Sequence, residues 1–185
     1  MSAISSLALL PVLFALFNAA SCINFPFESI QLFSSDVGNF NSISFGDAKT
    51  PITNTASCRS LPGDPSWPSL SEWSQLNTSL SGALLHPAPL GTVCYAGSLQ
   101  DPKKCLDLVV NASTSRAYLD DPLTVLTTWP EGGTCDVTLT PVGNCTQGGF
   151  PTYVVNVTTV KDIQIAVNFA RNSNLRLVIK CVLRA

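Results

Sequence analysis

Residues 153–180 read YVVNVTTVKDIQIAVNFARNSNLRLVIK, and this stretch decides the fold. Its first five residues include three valines and a tyrosine, which is typical of a strand. Its last six residues, 175–180, predict a second strand. Thr159 and Asp162 predict a helix start between the strands, because they can form a capping box in the first turn. Two strands joined by a helix of this length predict a right-handed parallel crossover.

Apolar residues within the predicted helix recur with helical spacing. They form one stripe that we expect to face the core, namely Ile163, Ala166, Val167 and Ala170. Polar residues lie on the opposite face, which we expect to be solvated, namely Lys161, Gln164, Asn168 and Arg171. Asn174 is suited to the position just after the helix, because Asn tolerates the left-handed conformation that often ends helices.

The length of 185 residues allows one domain, and the composition suits an extracellular protein. Charged residues make up 12% of the chain, about half the usual share in globular proteins. We expect such a protein to be kept soluble by attached sugars. Because the net charge of −2 provides no basic patch, we expect no nucleic-acid partner.

Residues 1–21 have the pattern of a secretory signal peptide. Residues 7–17, LALLPVLFALF, form an apolar run, and the small residues Ala19, Ala20 and Ser21 follow it. A run of this length is too short to span a bilayer. We therefore expect cleavage close to Ser21, secretion of the mature protein, and no membrane association after cleavage.

Seven cysteines and four N-glycosylation sequons agree with a secretory route. The predicted glycosylation sites are Asn77, Asn111, Asn144 and Asn156. Asn77 and Asn111 are the better candidates. Asn144 would be hindered if Cys145 is bridged, and Asn156 lies at the end of a predicted strand.

Residues 22–57 show no sustained apolar period, which predicts an extended, loosely packed lead-in with one short strand near residues 30–33. Residues 58–150 predict an irregular region stapled by disulfides. Within it, a capping box and an apolar stripe predict one helix. We also predict a short strand at residues 83–85 and a second helix near residues 103–110. The capping box is Ser69 with Glu72, and the stripe is Leu70, Trp73, Leu76 and Leu80.

Three features of this region resemble functional sites but have simpler interpretations. Trp67 and Trp73 form a pair that is suited to stacking on a sugar, yet such residues are more often core anchors for a small helix. His86 is the only histidine, and it has no metal-ligating residue at a suitable spacing, so we predict no metal site. Asp120 and Asp121 are neighbours whose side chains point apart, which predicts a turn rather than an acid–base pair.

Four cysteines of this region are spaced about ten residues apart in two pairs. The sequence alone leaves their connectivity open. Pairing of Cys94 with Cys105 and of Cys135 with Cys145 is our prediction, because each bridge would then staple a loop that lacks a core of its own. The sequence contains no C-x-x-C, G-x-G-x-x-G, P-loop or G-x-S-x-G motif.

Two blocks of sequence carry a resemblance to a known family. The first block consists of Leu61-Pro62-Gly63-Asp64-Pro65, Trp67-Pro68, Trp73 and Leu76-Asn77, followed by Pro89-Leu90-Gly91 and Cys94. The second block is residues 151–180. Together they resemble the secreted fungal FAD-linked oxidoreductases, which are similar to berberine bridge enzyme and carry a PCMH-type FAD-binding domain. The resemblance implies an α+β fold in which residues 151–180 are the opening βαβ unit of that domain.

The resemblance also implies chemistry. Members of this family hold FAD covalently, transfer a hydride from a small organic substrate to the flavin, and are reoxidised by dioxygen. In the family the second strand runs into an Asn-Thr-Gly-His-Asp loop, whose glycine approaches the pyrophosphate and whose histidine bonds to the flavin. By position, Ile179 and Lys180 are therefore implied to lie near the cofactor.

The sequence departs from the family pattern in two places. Residues 181–185 read CVLRA and do not match the flavin-linking loop, and two family cysteines appear as Ser60 and Ser66. The departures imply an N-terminal fragment of such an oxidoreductase that is inactive by itself. The alternative is a small secreted, disulfide-stapled protein of the same descent with a binding or interaction role and no enzymatic one. A carbohydrate-binding protein that uses the tryptophans is a third, weaker hypothesis.

Overall fold

The computed structural model describes residues 26–46, 58–111, 119–124 and 132–180. The predicted signal peptide and the tail at residues 181–185 lie outside these ranges. Short 3-10 turns occur at Pro26–Ser29, Asn41–Ile43 and Leu90–Cys94. The helices are α1 (Ser34–Val37), α2 (Leu70–Ser79), α3 (Pro102–Val110) and α4 (Val160–Asn172), and the strands are β1 (Leu84–Leu85) and β2 (Val154–Val155).

Helix α4 begins where its capping residues predict. The Thr159 hydroxyl accepts a hydrogen bond from the backbone N–H of Asp162, and the Asp162 carboxylate accepts one from the N–H of Thr159 at 2.8 Å. The same carboxylate oxygen also accepts bonds from the backbone and hydroxyl of Thr158, both at 3.0 Å. These bonds satisfy N–H groups that have no partner within a helix. Asn174 has a φ of 54°, so the left-handed residue after the helix is confirmed.

The prediction of which face of α4 is buried was wrong in part, because Ala170 is buried as expected but two other residues of the predicted stripe are exposed. Ile163 is 48% exposed and Val167 is 38% exposed, although both were expected in the core. Ile165 and Phe169 enter the core instead, and the polar Asn168 is buried beside them. Compared with the prediction, α4 is rotated about its own axis. The reason is that its polar face binds the lead-in, which covers the side of the helix that was expected to face water.

Residues 26–46 of the lead-in are neither extended nor loosely packed, which corrects the prediction for this part of residues 22–57. Residues 30–33 form no strand, and helical turns follow instead. Ile43 is completely buried in the main core. Backbone carbonyls of this segment accept hydrogen bonds from side chains of α4. The pairs, each given as side-chain donor and carbonyl acceptor with the distance between nitrogen and oxygen, are Gln164 and Ile30 at 2.7 Å, Asn168 and Ile43 at 3.1 Å, Asn172 and Ser42 at 2.9 Å, and Arg171 and Ser44 at 3.2 Å.

The predicted parallel crossover is also absent from the described residues. Strand β2 pairs antiparallel with β1, with Leu84 opposite Val155 and Leu85 opposite Val154. Residues 175–180 are not a strand. A strand needs a neighbour to form a ladder, and the two-stranded sheet joins only β1 and β2 among the described residues. The fold is therefore a mixed one, with helices around a small antiparallel sheet.

The main core forms where α2, α4 and the lead-in meet. Trp73 lies near its centre and stacks on Tyr153, with 4.0 Å between ring centroids, while the Trp67 ring lies 5.5 Å away. Both tryptophans are thus core anchors, as predicted. Leu70 is 82% exposed and does not join the stripe, because it lies at the first position of α2. The buried cluster consists of Ile43, Trp73, Leu76, Leu80, Ile165, Phe169, Ala170 and Leu175.

Ser60 and Ser66, which replace two cysteines of the resembled family, lie side by side. Their hydroxyl oxygens are 2.8 Å apart, and Ser60 is buried. The turn that they close is tied to the end of α4, since Ser60 N–H donates to the carbonyl of Asn174 at 3.0 Å and Arg59 donates to its side chain at 2.9 Å. A hydrogen bond between hydroxyl groups therefore joins the two positions at which the resembled family has cysteines.

We predict that the double substitution Ser60→Cys with Ser66→Cys forms a disulfide. Closing a loop of this size should restrict the unfolded chain and stabilise the protein by about 2 kcal/mol. The experiment uses a Cys58→Ser background, so that Cys58 cannot pair with either introduced cysteine. Mass spectrometry should show the loss of two hydrogens, and urea unfolding should show a gain that reductant abolishes. Each single Cys variant is the control, and a double variant that stays reduced in air contradicts the prediction.

Acid should weaken the start of α4. Burial opposes ionisation of Asp162, but hydrogen bonds from Thr158 and Thr159 outweigh it and lower its pKa below the ordinary 3.8. A lowered pKa means that the ionised carboxylate stabilises the fold above the ordinary value, and this stabilisation is lost as the pH falls through the folded-state pKa. Urea midpoints measured between about pH 5 and pH 2 should therefore fall less in Asp162→Asn than in the wild type. Parallel curves would contradict this prediction.

Candidate functional site

Both predicted disulfides are confirmed. Cys94 bonds to Cys105, with Cα atoms 5.0 Å apart, and Cys135 bonds to Cys145, with Cα atoms 4.4 Å apart. The first bridge fastens the turn Leu90–Cys94 to α3. Helix α3 begins at an Asp101 cap whose side chain accepts from the backbone N–H of Lys104 at 3.0 Å.

The two bridges pack into a second small core. Cys94, Tyr95, Cys105 and Cys135 are buried together. The Tyr95 hydroxyl accepts a hydrogen bond from the backbone N–H of Asp136 at 3.1 Å, and the Thr92 hydroxyl lies 3.1 Å from the sulfur of Cys145. Gly91 allows this approach, because a Cβ there would collide with the carbonyl oxygen of Cys135 and lie 2.9 Å from that of Asp136. The glycine of the motif Pro89-Leu90-Gly91 is thus needed for packing.

An open groove of about 370 Å³ lies beside this disulfide core. Its charged groups are Asp101, Lys104 and Asp121, and the rest of its lining is mostly apolar. The lining residues are Pro87, Ala88, Pro89, Leu90, Thr92, Val93, Leu99, Asp101, Lys104, Asp121 and Pro122. The volume lies at the small end of the range for ligand pockets, which is roughly 300–1,000 Å³.

Asp121 connects the groove to the end of the described chain. Its carboxylate accepts hydrogen bonds from the backbone and hydroxyl of Thr124, at 2.7 and 2.6 Å, so the predicted turn is confirmed. Its backbone carbonyl accepts a hydrogen bond from the Lys180 ammonium at 2.6 Å. Lys180 is therefore bound to Asp121, which is one of the lining residues of the groove, while Ile179 is 71% exposed.

Comparison with known proteins identifies related sequences and structures, although no protein-family model matches the chain. The FAD-linked oxidoreductase sor8 of Hypocrea jecorina is 35% identical over 127 residues, which cover 69% of this chain and 22% of that protein. The VAO-type flavoprotein oxidase VAO615 of Thermothelomyces thermophilus is 36% identical over 134 residues, which cover 71% of this chain and 23% of that protein. The crystal structure of the VAO-type flavoprotein MtVAO615 from Myceliophthora thermophila matches with a TM-score of 0.63 at 36% identity.

The chain is a homologue of the fungal FAD-linked oxidoreductases of the VAO type. The structural match covers 68% of this chain and 24% of MtVAO615. The chain thus spans between a fifth and a quarter of the length of these relatives. The family resemblance that the two sequence blocks carry is confirmed.

The described residues do not assemble an FAD site by themselves. The names of the relatives indicate that those proteins bind FAD. The pyrophosphate of FAD is an anion, and a site for it needs backbone N–H groups or cations. Residues 175–180 contain no glycine, and the Lys180 ammonium is held by the Asp121 carbonyl. The groove places the carboxylates of Asp101 and Asp121 beside a single lysine, which does not suit an anion. We therefore derive no catalytic step through a flavin at these residues.

The four predicted glycosylation sites differ in their surroundings. Asn144 and Asn156 are exposed. Asn77 is half-buried, and its side-chain oxygen accepts a hydrogen bond from the N–H of Leu84 at 3.1 Å, which fixes the turn between α2 and β1. Asn111 caps α3. The structure thus gives Asn77 a structural role, which its sequon does not reveal.

Two further sequence predictions concern His86 and the membrane. The His86 ring is exposed and lies 5.0 Å from the ring of Tyr153. Within the described ranges no cluster of His, Cys, Asp and Glu could hold a metal ion. In the same residues, no helix combines the length and apolar character that crossing a membrane requires.

Sequence reasoning missed the groove. Its walls come from residues 87–93, from α3 and from the turn at Asp121, which are separate in sequence. Only the run HPAPLG, residues 86–91, could have indicated it, because two prolines keep the backbone extended there. The signal is weak, since proline-rich loops are common without any site.

We predict that Gly91→Ala destabilises the protein by about 1–3 kcal/mol, because the added methyl group must push the turn Leu90–Cys94 away from the backbone of Asp136. The urea midpoint should fall, and reduction of the disulfides should become faster. Gly46→Ala is the matched control, because its Cβ would meet only Arg171, at an ordinary 3.5 Å. Equal stability of the two variants would contradict the close approach at Gly91.

Proposed function

We propose that this chain forms part of an FAD-dependent oxidoreductase. The enzyme would transfer a hydride from a small organic substrate to the flavin, and dioxygen would reoxidise the flavin. The observation that carries the proposal is the match to a VAO-type flavoprotein at 36% identity with a TM-score of 0.63. The two disulfides, the Gly91 contact and the Trp73 core give the chain a scaffold of its own onto which such a domain can be built.

The proposal assigns the chain a scaffolding part in the enzyme. By their position in the sequence, Ile179 and Lys180 are the candidates for residues near the flavin. Secretion after cleavage near Ser21 belongs to the same proposal, as does glycosylation at the exposed Asn111 and Asn156. Asn144 is also exposed, but its sequon contains the bridged Cys145 and is therefore hindered.

We predict that the 185-residue chain purifies without flavin. Cys181 and the β-branched Val182 stand where the family has its glycine-bearing loop, and both resist the positive φ angles that glycine adopts. After incubation with FAD and dialysis, the protein should show no flavin absorbance, and denaturation should release none. A VAO-type relative that is treated in parallel and retains its colour is the positive control. A yellow protein whose flavin survives denaturation would contradict the prediction.

The alternative is a secreted, non-enzymatic binding protein of the same descent. One observation favours it, namely that the described residues do not fit FAD. Sequencing the transcript and the genomic DNA beyond the codon for Lys180 discriminates between the two. An in-frame Gly-His-Asp supports the oxidoreductase, whereas a stop codon at Ala185 in every transcript supports the binding protein.

A further inference from the structure

The groove beside the disulfide core offers few backbone hydrogen-bond donors to a ligand. Three of its eleven lining residues are prolines, which have no N–H. Three more have an N–H that is already bonded within the chain. Thr92 donates to the Pro89 carbonyl at 2.9 Å, Asp101 to the Val93 carbonyl at 2.8 Å, and Lys104 to the Asp101 carboxylate at 3.0 Å. More than half of the lining residues therefore lack a free backbone donor.

The carboxylate of Asp121 is a buried charge in the wall of this groove. The residue is only 8% exposed. Its Oδ2 accepts both hydrogen bonds from Thr124, and its Oδ1 accepts none from the described residues. Neither Asp121 nor Asp101 forms an ion pair with a lysine or arginine of the described ranges. A buried charge is costly unless it is paired, so a cation is the partner that this wall lacks.

The charges of the lining also favour a cation. The carboxylates of Asp101 and Asp121 face a single ammonium, that of Lys104, so one negative charge is in excess. The Lys180 ammonium, which is outside the lining, is held by the backbone carbonyl of Asp121 at 2.6 Å. Two carboxylates do not make a metal site, and in the described ranges no group of three or more ligating side chains occurs. The missing cation is therefore an organic one.

We propose that the groove binds a small organic ammonium ion whose N–H groups donate to the Asp121 carboxylate. The apolar part of the ion would contact Leu90, Val93 and Leu99, which belong to the lining. The volume of about 370 Å³ has room for an aromatic ring on a short chain. The site is one of binding, it involves no flavin, and it is independent of the proposed oxidoreductase activity.

The first test compares three probes that share a phenyl ring on a short chain and differ in charge. They are 2-phenylethylammonium, the neutral 2-phenylethanol and the anionic 3-phenylpropanoate, each titrated into the full chain labelled with ¹⁵N. Backbone amide resonances of Leu90, Val93 and Lys104 report binding at the groove. The ammonium should bind about tenfold more tightly than the alcohol, because its hydrogen bond to the carboxylate is charge-assisted, and the carboxylate should bind most weakly.

The second test removes the charge at Asp121 and keeps the turn. Asp121→Asn retains an oxygen for the two bonds from Thr124 and should lose the preference for the ammonium over the alcohol. Asp64→Asn is the matched control. It removes the same charge from a similar turn outside the groove, where Asp64 accepts from the N–H of Leu61 at 2.7 Å, and it should keep the preference. Lys104→Gln, at an exposed position, should bind the ammonium more tightly, because the one cation of the lining is gone.

The proposal is supported if the ammonium binds most tightly and Asp121→Asn alone loses this preference. It is overturned if the alcohol or the carboxylate binds as tightly as the ammonium, if no probe shifts the groove resonances, or if Asp121→Asn keeps the preference. Should Asp121→Asn not fold, Lys104→Gln decides, since unchanged or weaker binding of the ammonium there contradicts the proposal. Every titration uses protein without flavin, so its result is separate from that of any test of oxidoreductase activity.

Discussion

The fold depends on hydrogen bonds between the side chains of α4 and the backbone of the lead-in. Carbonyls of a segment without regular structure must find donors when they are buried, or they lose the hydrogen bonds that water supplied. Asn168 supplies the donor for a buried carbonyl, that of Ile43, and Gln164 and Asn172 add exposed hydrogen bonds on the same side of the helix. Asn168 is buried for this purpose, and its bond to the Ile43 carbonyl lets Ile43 enter the core completely.

The same contacts set the orientation of everything that α4 touches. With the amides turned toward the lead-in, Ile165 and Phe169 meet Trp73, and the ring of Phe169 lies 5.1 Å from it. Asn174 then ends the helix and holds the turn at Ser60 through its backbone carbonyl. An ion pair between Lys161 and Asp36 at 2.8 Å adds to the contact, but it is exposed, and such pairs contribute little.

Local chemistry could be predicted from the sequence, and long-range pairing could not. The capping boxes at Thr159 and Ser69 and the two short disulfides depend on residues within about a dozen positions of each other, so their pattern is visible in the chain. The buried face of α4 depends on carbonyls more than 120 residues away. Residues 175–180 have the composition of a strand, but a strand also requires a neighbour, which composition does not supply.

The contacts that stabilise the described residues differ in kind from the contacts that a cofactor site requires. The disulfide core closes on itself through loops whose cysteines are 11 and 10 residues apart, and it places the groove beside α3 without any contribution from α4. A cofactor site makes a different demand, since cations or N–H groups from several segments must converge on one anion. In the described residues the Lys180 ammonium is instead bound to a carbonyl of the chain. The caps, the disulfides and the aromatic packing of the described residues rest on contacts within the chain, and none of these contacts requires a flavin.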